Sequence, residues 1–189
     1  MTTDLPSPEI LRKLLRYEPE TGKLFWRKRT PDMFKTEKAC RCWNTRHAGN
    51  ETFSSVDKDG YLLGMIFYRR LKSHRVIYAM AHGRWPKGQI DHIDGVKTNN
   101  KIENLRDVSP SQNARNMPLR TDNKTGISGI TFHKRSKKWQ CQLRDGGTDK
   151  YIGSFDTLGG AIAAMSSARA EHGYHENHGR ALHSMEPDA

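Results

Sequence analysis

The feature that most constrains this chain is the run Asp91-His92-Ile93-Asp94-Gly95, followed by Asn104-Leu105 and then by Asn113. A carboxylate stands beside an imidazole, and a loop-prone stretch, Asp94-Gly95-Val96-Lys97-Thr98-Asn99-Asn100, comes next. The two asparagines fall twelve and twenty-one residues after the histidine. Residues 89–93 read as a strand, the stretch around Ile102 and Leu105 as a short apolar turn, and residues 109–116 as a helix carrying Asn113. The expectation is a β-loop-α unit around one small cavity, with one general base and two hard oxygen ligands for a divalent metal. An unperturbed imidazole titrates near pH ~6.5, so His92 can accept a proton from water near neutrality. Asp91 and Asn113 offer oxygens suited to Mg²⁺ or Mn²⁺. Strand neighbours point to opposite faces, so the strand must twist or end at 91–92 for both side chains to reach one phosphate. Asn104 reads as a brace whose amide bonds the loop backbone.

Charge suggests the partner. The 189 residues hold 32 Lys+Arg against 21 Asp+Glu, a formal charge of +11. Residues 1–120 carry 23 of those cations against 13 acids; residues 121–189 carry 9 against 8. Beside a site that needs a phosphate, that excess points to nucleic acid. No apolar run is long enough for a membrane span, and Met1–Pro6 has no secretory character. Three cysteines, Cys40, Cys42 and Cys141, suit a reducing cytoplasm. Cys40-Arg41-Cys42 has one spacer residue and no second pair, so no structural zinc is expected. A monomer is the favoured state.

The remaining pattern predicts a helix over residues 8–17, capped by Ser7, with Ile10, Leu11, Leu14 and Leu15 on one face. A strand over 23–27 follows, then a long loop over 28–52 pinned by Phe34 and Trp43. Strands at 61–67 and 71–73 are joined by a turn at Tyr68-Arg69-Arg70. A helix over 73–83 turns Val76, Ile77, Met80 and Ala81 inward and ends at glycine. The polar stretch 120–126 reads as a domain boundary. Beyond it lie strands near 129–133, 138–144 and 150–153, and a helix over 157–172 with Ala161, Ile162, Met165 and Ala168 toward the sheet.

Ser73-His74-Arg75-Val76-Ile77-Tyr78-Ala79, Ile90-Asp91-His92-Ile93-Asp94-Gly95, Asn99-Asn100, Glu103-Asn104-Leu105-Arg106 and Gln112-Asn113-Ala114-Arg115-Asn116 together resemble the HNH endonuclease family. The likeness is to its phage and intron-homing branch, whose third motif residue is asparagine. The resemblance implies a ββα-metal fold over residues 59–120 that cleaves double-stranded DNA, by nicking or cutting both strands, with one divalent ion. It makes His92 the general base, Asp91 and Asn113 metal ligands, and Asn104 the structural middle residue. Arg69, Arg70, Lys72, His74, Arg75, Lys97, Arg115 and Asn116 are the expected DNA contacts of this domain. The zinc-ribbon cysteines of some relatives are missing. A phage-encoded protein of this type would work in the host cytoplasm.

A second resemblance covers residues 129–180. Gly129-Ile130, Lys138-Trp139, Leu143-Arg144 and Tyr151-Ile152-Gly153-Ser154-Phe155-Asp156-Thr157, with the alanine-rich helix, look like the ethylene-response-factor type of DNA-binding domain. That family lays a three-stranded sheet in the major groove with the helix behind. Lys134, Arg135, Lys137, Lys138, Arg144 and Tyr151 are the expected DNA contacts here, and Trp139 and Phe155 are expected to be buried. Thr131 and His133 stand where base-reading arginines are expected, and Tyr151 replaces a tryptophan, so the plant target does not carry over. The expected fold class is α+β: a ββα-metal nuclease domain, then a small three-stranded antiparallel sheet with one helix. Residues 1–58 form a basic extension, 121–128 a linker and 181–189 a tail. The competing readings are a sequence-specific DNA-binding regulator whose nuclease site is inactive, and an RNA-directed nuclease.

Overall fold

A computed structural model describes residues 5–114, 119, 123, 125–145, 147–174 and 178. The chain divides into two compact units, Met1–His92 with Lys97–Asp107, and Ile93–Val96 with Val108–Ala189.

The first unit opens with α1 (Pro8–Leu14), whose N-cap Ser7 hydroxyl accepts from the Ile10 N–H. The expected helix to residue 17 stops at Leu14, because Leu15–Glu18 is a strand, β1, paired antiparallel with β2 (Lys23–Trp26). The chain can reverse so tightly because Gly22 takes φ +72° and its N–H closes on the Glu18 carbonyl at 2.9 Å. Leu11, Leu14 and Leu15 are buried as expected, whereas Ile10 faces solvent. Residues 28–52, read as a loop, hold a 3-10 turn (Pro31–Met33), α2 (Glu37–His47) and β3 (Glu51–Thr52), the last added to β2. Phe34 and Trp43 do pin this stretch, with ring centroids 6.1 Å apart and Trp43 edge-on to Trp26 at 5.6 Å.

β4 (Ser55–Val56), β5 (Leu62–Ile66) and β6 (Arg69–Lys72) form an antiparallel sheet in that order. The β5–β6 turn is Phe67-Tyr68 rather than 68–70, with Ile66 opposite Arg69. β6 runs directly into α3 (Ser73–His82), which ends at Gly83 in the left-handed conformation. Val76, Ile77 and Met80 are buried, but Ala81 is exposed and Ala79 takes its place. Around α3 gather Leu11, Leu14, Leu24, Phe53, Ile66, Leu71, Ile90 and Leu105 in one core. β7 (Gln89–His92) pairs with β8 (Leu105–Val108), where only a turn was expected; a 3-10 turn, Ile102–Asn104, precedes β8.

The second unit contains α4 (Pro110–Ala114). Arg115, Asn116 and most of the expected boundary at 120–126 lie outside the described residues. β9 (Ile130–His133), β10 (Lys138–Asp145) and β11 (Thr148–Phe155) form an antiparallel sheet with β10 central. α5 (Leu158–Glu171), capped by Thr157, packs Ala161, Met165 and Ala168 against Ile130, Cys141 and Leu143. Ile162, placed inward by the sequence pattern, is exposed; Trp139 and Phe155 are half-buried at the edge of this core. No helix among the described residues is long and apolar enough to cross a membrane.

Candidate active site

β7 carries Asp91 and His92 at its C-terminal end, so the strand stops where both side chains are needed. His92 is 4% exposed, and its Nε2 lies 3.0 Å from Oδ1 of Asn100, which is fully buried. An amide oxygen only accepts, so this contact suits the tautomer with the proton on Nε2, which in a neutral ring leaves Nδ1 as the acceptor. Asn100 is itself fixed. Gly22 presses on its backbone, and the Tyr17 hydroxyl accepts from the Ile102 N–H at 2.9 Å while donating to the Asn100 carbonyl at 3.4 Å. Asn104 donates through Nδ2 to the Asn99 carbonyl at 2.8 Å, bracing the same loop.

His74, the second residue of α3, packs edge-on against His92 at 5.2 Å and against Tyr61 at 5.0 Å. It is as buried as His92, each 4% exposed. Burial, reinforced by the positive charges of Lys72 and Arg75 and by His92, pushes its pKa down to about 3, with Asp57 opposing. His74 is therefore neutral at pH 7 and adds no charge that would resist proton uptake by His92. Its Nδ1 and the Asn100 Nδ2 are buried without a hydrogen-bond partner among the described residues. Orphaned polar atoms of this kind mark a place where water or a ligand completes the site. Lys72 and Lys97 lie over the Tyr61 ring at 3.9 and 5.1 Å, holding two cations at the rim.

Asp91 is 7% exposed, and Arg106 Nε and Nη2 both contact its Oδ2 at 2.7 Å. A cation at Asp91 must share that carboxylate with a guanidinium. Among the described residues no group of three or more His, Cys, Asp or Glu side chains is placed to hold a metal ion. One carboxylate with amide oxygens suits a hard ion that keeps most of its water, such as Mg²⁺ or Mn²⁺. Asn113 sits in α4 of the second unit, where its N–H donates to the Ser109 carbonyl at 2.9 Å. All three cysteines are free thiols.

Residues 72–115 match the model of the HNH endonuclease family. Protein 3.8 of Escherichia phage T7 is 32% identical over 108 residues, which cover 57% of this chain and 89% of the phage protein. The chain carries an HNH endonuclease domain at residues 72–115 and belongs to the same family as this phage protein. No solved structure matches it. The HNH segment contains the Asp91–His92 strand end, Asn100, Asn104 and Arg106, and it implies a nuclease that acts on DNA with a divalent ion.

The other expected contacts divide. Arg75 is tied to the Gly88 and Pro86 carbonyls and holds the chain ahead of β7. Lys97 donates to the Asp59 carbonyl, while Arg70 is exposed beside Met65. On the C-terminal sheet Lys138 and Arg144 share the outer face of β10 with Gln140 and Gln142, opposite the buried Cys141 and Leu143. Lys134, Arg135 and Lys137 lie in the β9–β10 turn, Lys138 is paired with Asp156, and Arg144 stands opposite Asp149. Gln140 and Gln142, opposite Thr131 and Tyr151, occupy the middle of β10.

Sequence reasoning passed over Asn100 and Arg106 as functional residues, though both lay inside the quoted motif. It also missed an open cleft of about 900 Å³ lined by Arg12, Lys13, Arg16, Arg27 and Lys28 with Trp26 and Asp32. Arg12 and Arg27 are held there by the Met80 and Leu15 carbonyls, and Lys13 and Lys28 form no salt bridge among the described residues. The signal was two short basic stretches, Arg12–Arg16 and Arg27–Arg29, which together hold six cations and no carboxylate.

Proposed function

We propose that this chain is a metal-dependent endonuclease of the phage and homing HNH type that hydrolyses phosphodiester bonds of duplex DNA. The observation that carries the reading is the buried His92–Asn100 bond at 3.0 Å, next to the Arg106-held Asp91, inside the segment that matches the family. In this reading β7, β8 and α4 are, in chain order, the strands and helix of a ββα-metal unit. His92 acts as general base: Asn100 fixes the tautomer, and Nδ1 takes the proton of the water that attacks phosphorus. His74 lends packing without charge. Lys72 and Lys97 attract the phosphate, and Arg106 positions the Asp91 carboxylate. Asp91, with Asn113 as a further ligand by family resemblance, would hold a divalent ion, which would supply charge neutralisation for the phosphoryl group. The basic cleft grips the DNA backbone away from the cut. The C-terminal sheet, read as an ethylene-response-factor-like module, biases where cutting occurs; linking two weak binders raises local concentration.

Supercoiled-plasmid nicking tests this. Wild type should nick with Mg²⁺ or Mn²⁺ and stop with EDTA, and Asp91→Ala and Asn113→Ala should lose the metal-dependent rate. The second reading, a DNA-binding regulator with a silent site, draws on the Arg106 contact that occupies Asp91. It expects tight binding with no nicking under any divalent ion.

A further inference from the structure

The β5–β6 turn is built from residues that a two-residue hairpin turn resists. Such turns need φ > 0 at both central positions and are normally made of Asn, Asp or Gly. Here Phe67 and Tyr68 sit at φ 50° and 62°. Two adjacent aromatic residues in the left-handed region are strained, and their burial does not explain it: Tyr68 is 98% exposed and Phe67 60%. Met65 is also exposed, and opposite it stands the exposed Arg70. The tip thus combines apolar and aromatic surface with a solvent-facing cation. It is rigidly connected to the site, since β6 runs from Arg69 to Lys72 and straight into the helix that carries His74. At about 3.3 Å per strand residue the tip lies roughly 13 Å from Lys72, a distance of about four base steps along a duplex. Strain kept at an exposed aromatic tip is understandable when the tip has work to do on a ligand.

We propose that the Phe67-Tyr68 tip is a wedge that stacks on, and partly opens, a base step of duplex DNA near the cleaved phosphodiester, with Arg70 on the adjoining phosphate. The proposal rests on the nuclease reading. An apolar or aromatic wedge between base steps partly unstacks and kinks the duplex, and the phosphodiester beside an opened step is easier to reach.

The test uses the full chain carrying His92→Ala, so that DNA is bound and not cut, on duplexes with 2-aminopurine placed stepwise around the mapped cleavage site. Binding should raise fluorescence at one position within about five steps of the cut. Tyr68→Ala should abolish that rise and weaken binding by roughly tenfold, the size of one lost base–aromatic stack. A second variant, Phe67→Asn with Tyr68→Gly, supplies the turn's preferred residues. It should raise Tm while also abolishing the fluorescence rise, which separates loss of the wedge from loss of fold. An unchanged rise with either variant overturns the wedge while leaving the nuclease reading intact. Failure of the otherwise wild-type chain to bind or nick duplex DNA overturns both.

Discussion

At the residue scale the site depends on one imidazole, that of His74, held neutral by burial. His74 keeps its pKa near 3 in the folded chain, against an ordinary value near 6.5. Between those values the unfolded chain binds a proton that the folded chain does not, so stability is full above pH ~6.5 and falls as pH drops toward ~3, by up to about 1.4 kcal/mol per unit. Urea denaturation at pH 7 and pH 5 measures this, and His74→Gln should flatten the slope; an equal slope in both proteins refutes the buried-neutral assignment. Asn100→Ala removes the acceptor for His92 and leaves a buried ring N–H unpaired, a loss of about 1–3 kcal/mol. Its nicking rate should fall more than its stability explains, and Asn100→Asp, which keeps an acceptor, should recover part of it. The Asp-His pair at a strand end and the bracing bond of Asn104 to the loop backbone were legible in the sequence. Asn100 and Arg106 were not, because an asparagine in a polar loop and an arginine in a basic chain carry no distinguishing pattern. Only the fold brings Asn100 eight residues back onto His92.

At the scale of elements, the catalytic loop leans on the N-terminal turn. A Cβ at Gly22 would lie 2.7 Å from the Asn100 carbonyl carbon and from the Lys101 nitrogen, at a φ of +72°. Gly49, at φ +86°, has nothing within 4 Å. Gly22→Ala and Gly49→Ala should therefore share the backbone strain, on the order of 1–2 kcal/mol. Only Gly22→Ala should also slow nicking, because it must displace Asn100. Equal activity in the two variants contradicts this coupling. The strongly patterned elements, α3 with its glycine cap and the three C-terminal strands, were readable beforehand. α2 was not: Cys40 is its one buried hydrophobic, and it is fastened by Trp43, by Arg29 lying 3.8 Å over that ring and by Asn44 bonding both backbone groups of Arg29. β1 was missed because Leu15 continues the helical stripe of α1 while being buried as a strand residue.

At the scale of the molecule, the charge excess of residues 1–120 has a physical location. Four cations of the N-terminal cleft, Arg12, Lys13, Arg27 and Lys28, form no salt bridge among the described residues, and two of them are fixed by carbonyls. If the cleft grips phosphates, Lys13→Glu and Lys28→Glu should each lower the slope of log K against log salt by about one, leaving the cut position unchanged. A slope identical to wild type removes the cleft from the interface. Composition foretold a polyanion partner but could not say which surface meets it, since the C-terminal sheet, expected to be basic, spreads its cations into a turn and into ion pairs. The central claim is that His92 activates the water. Single-turnover cleavage of a plasmid by wild type and by His92→Ala, both with saturating Mg²⁺ and matched DNA binding, tests it most directly. The account predicts a fall of roughly 10²–10⁴-fold in the variant with binding retained; cleavage by His92→Ala at the wild-type rate would contradict it.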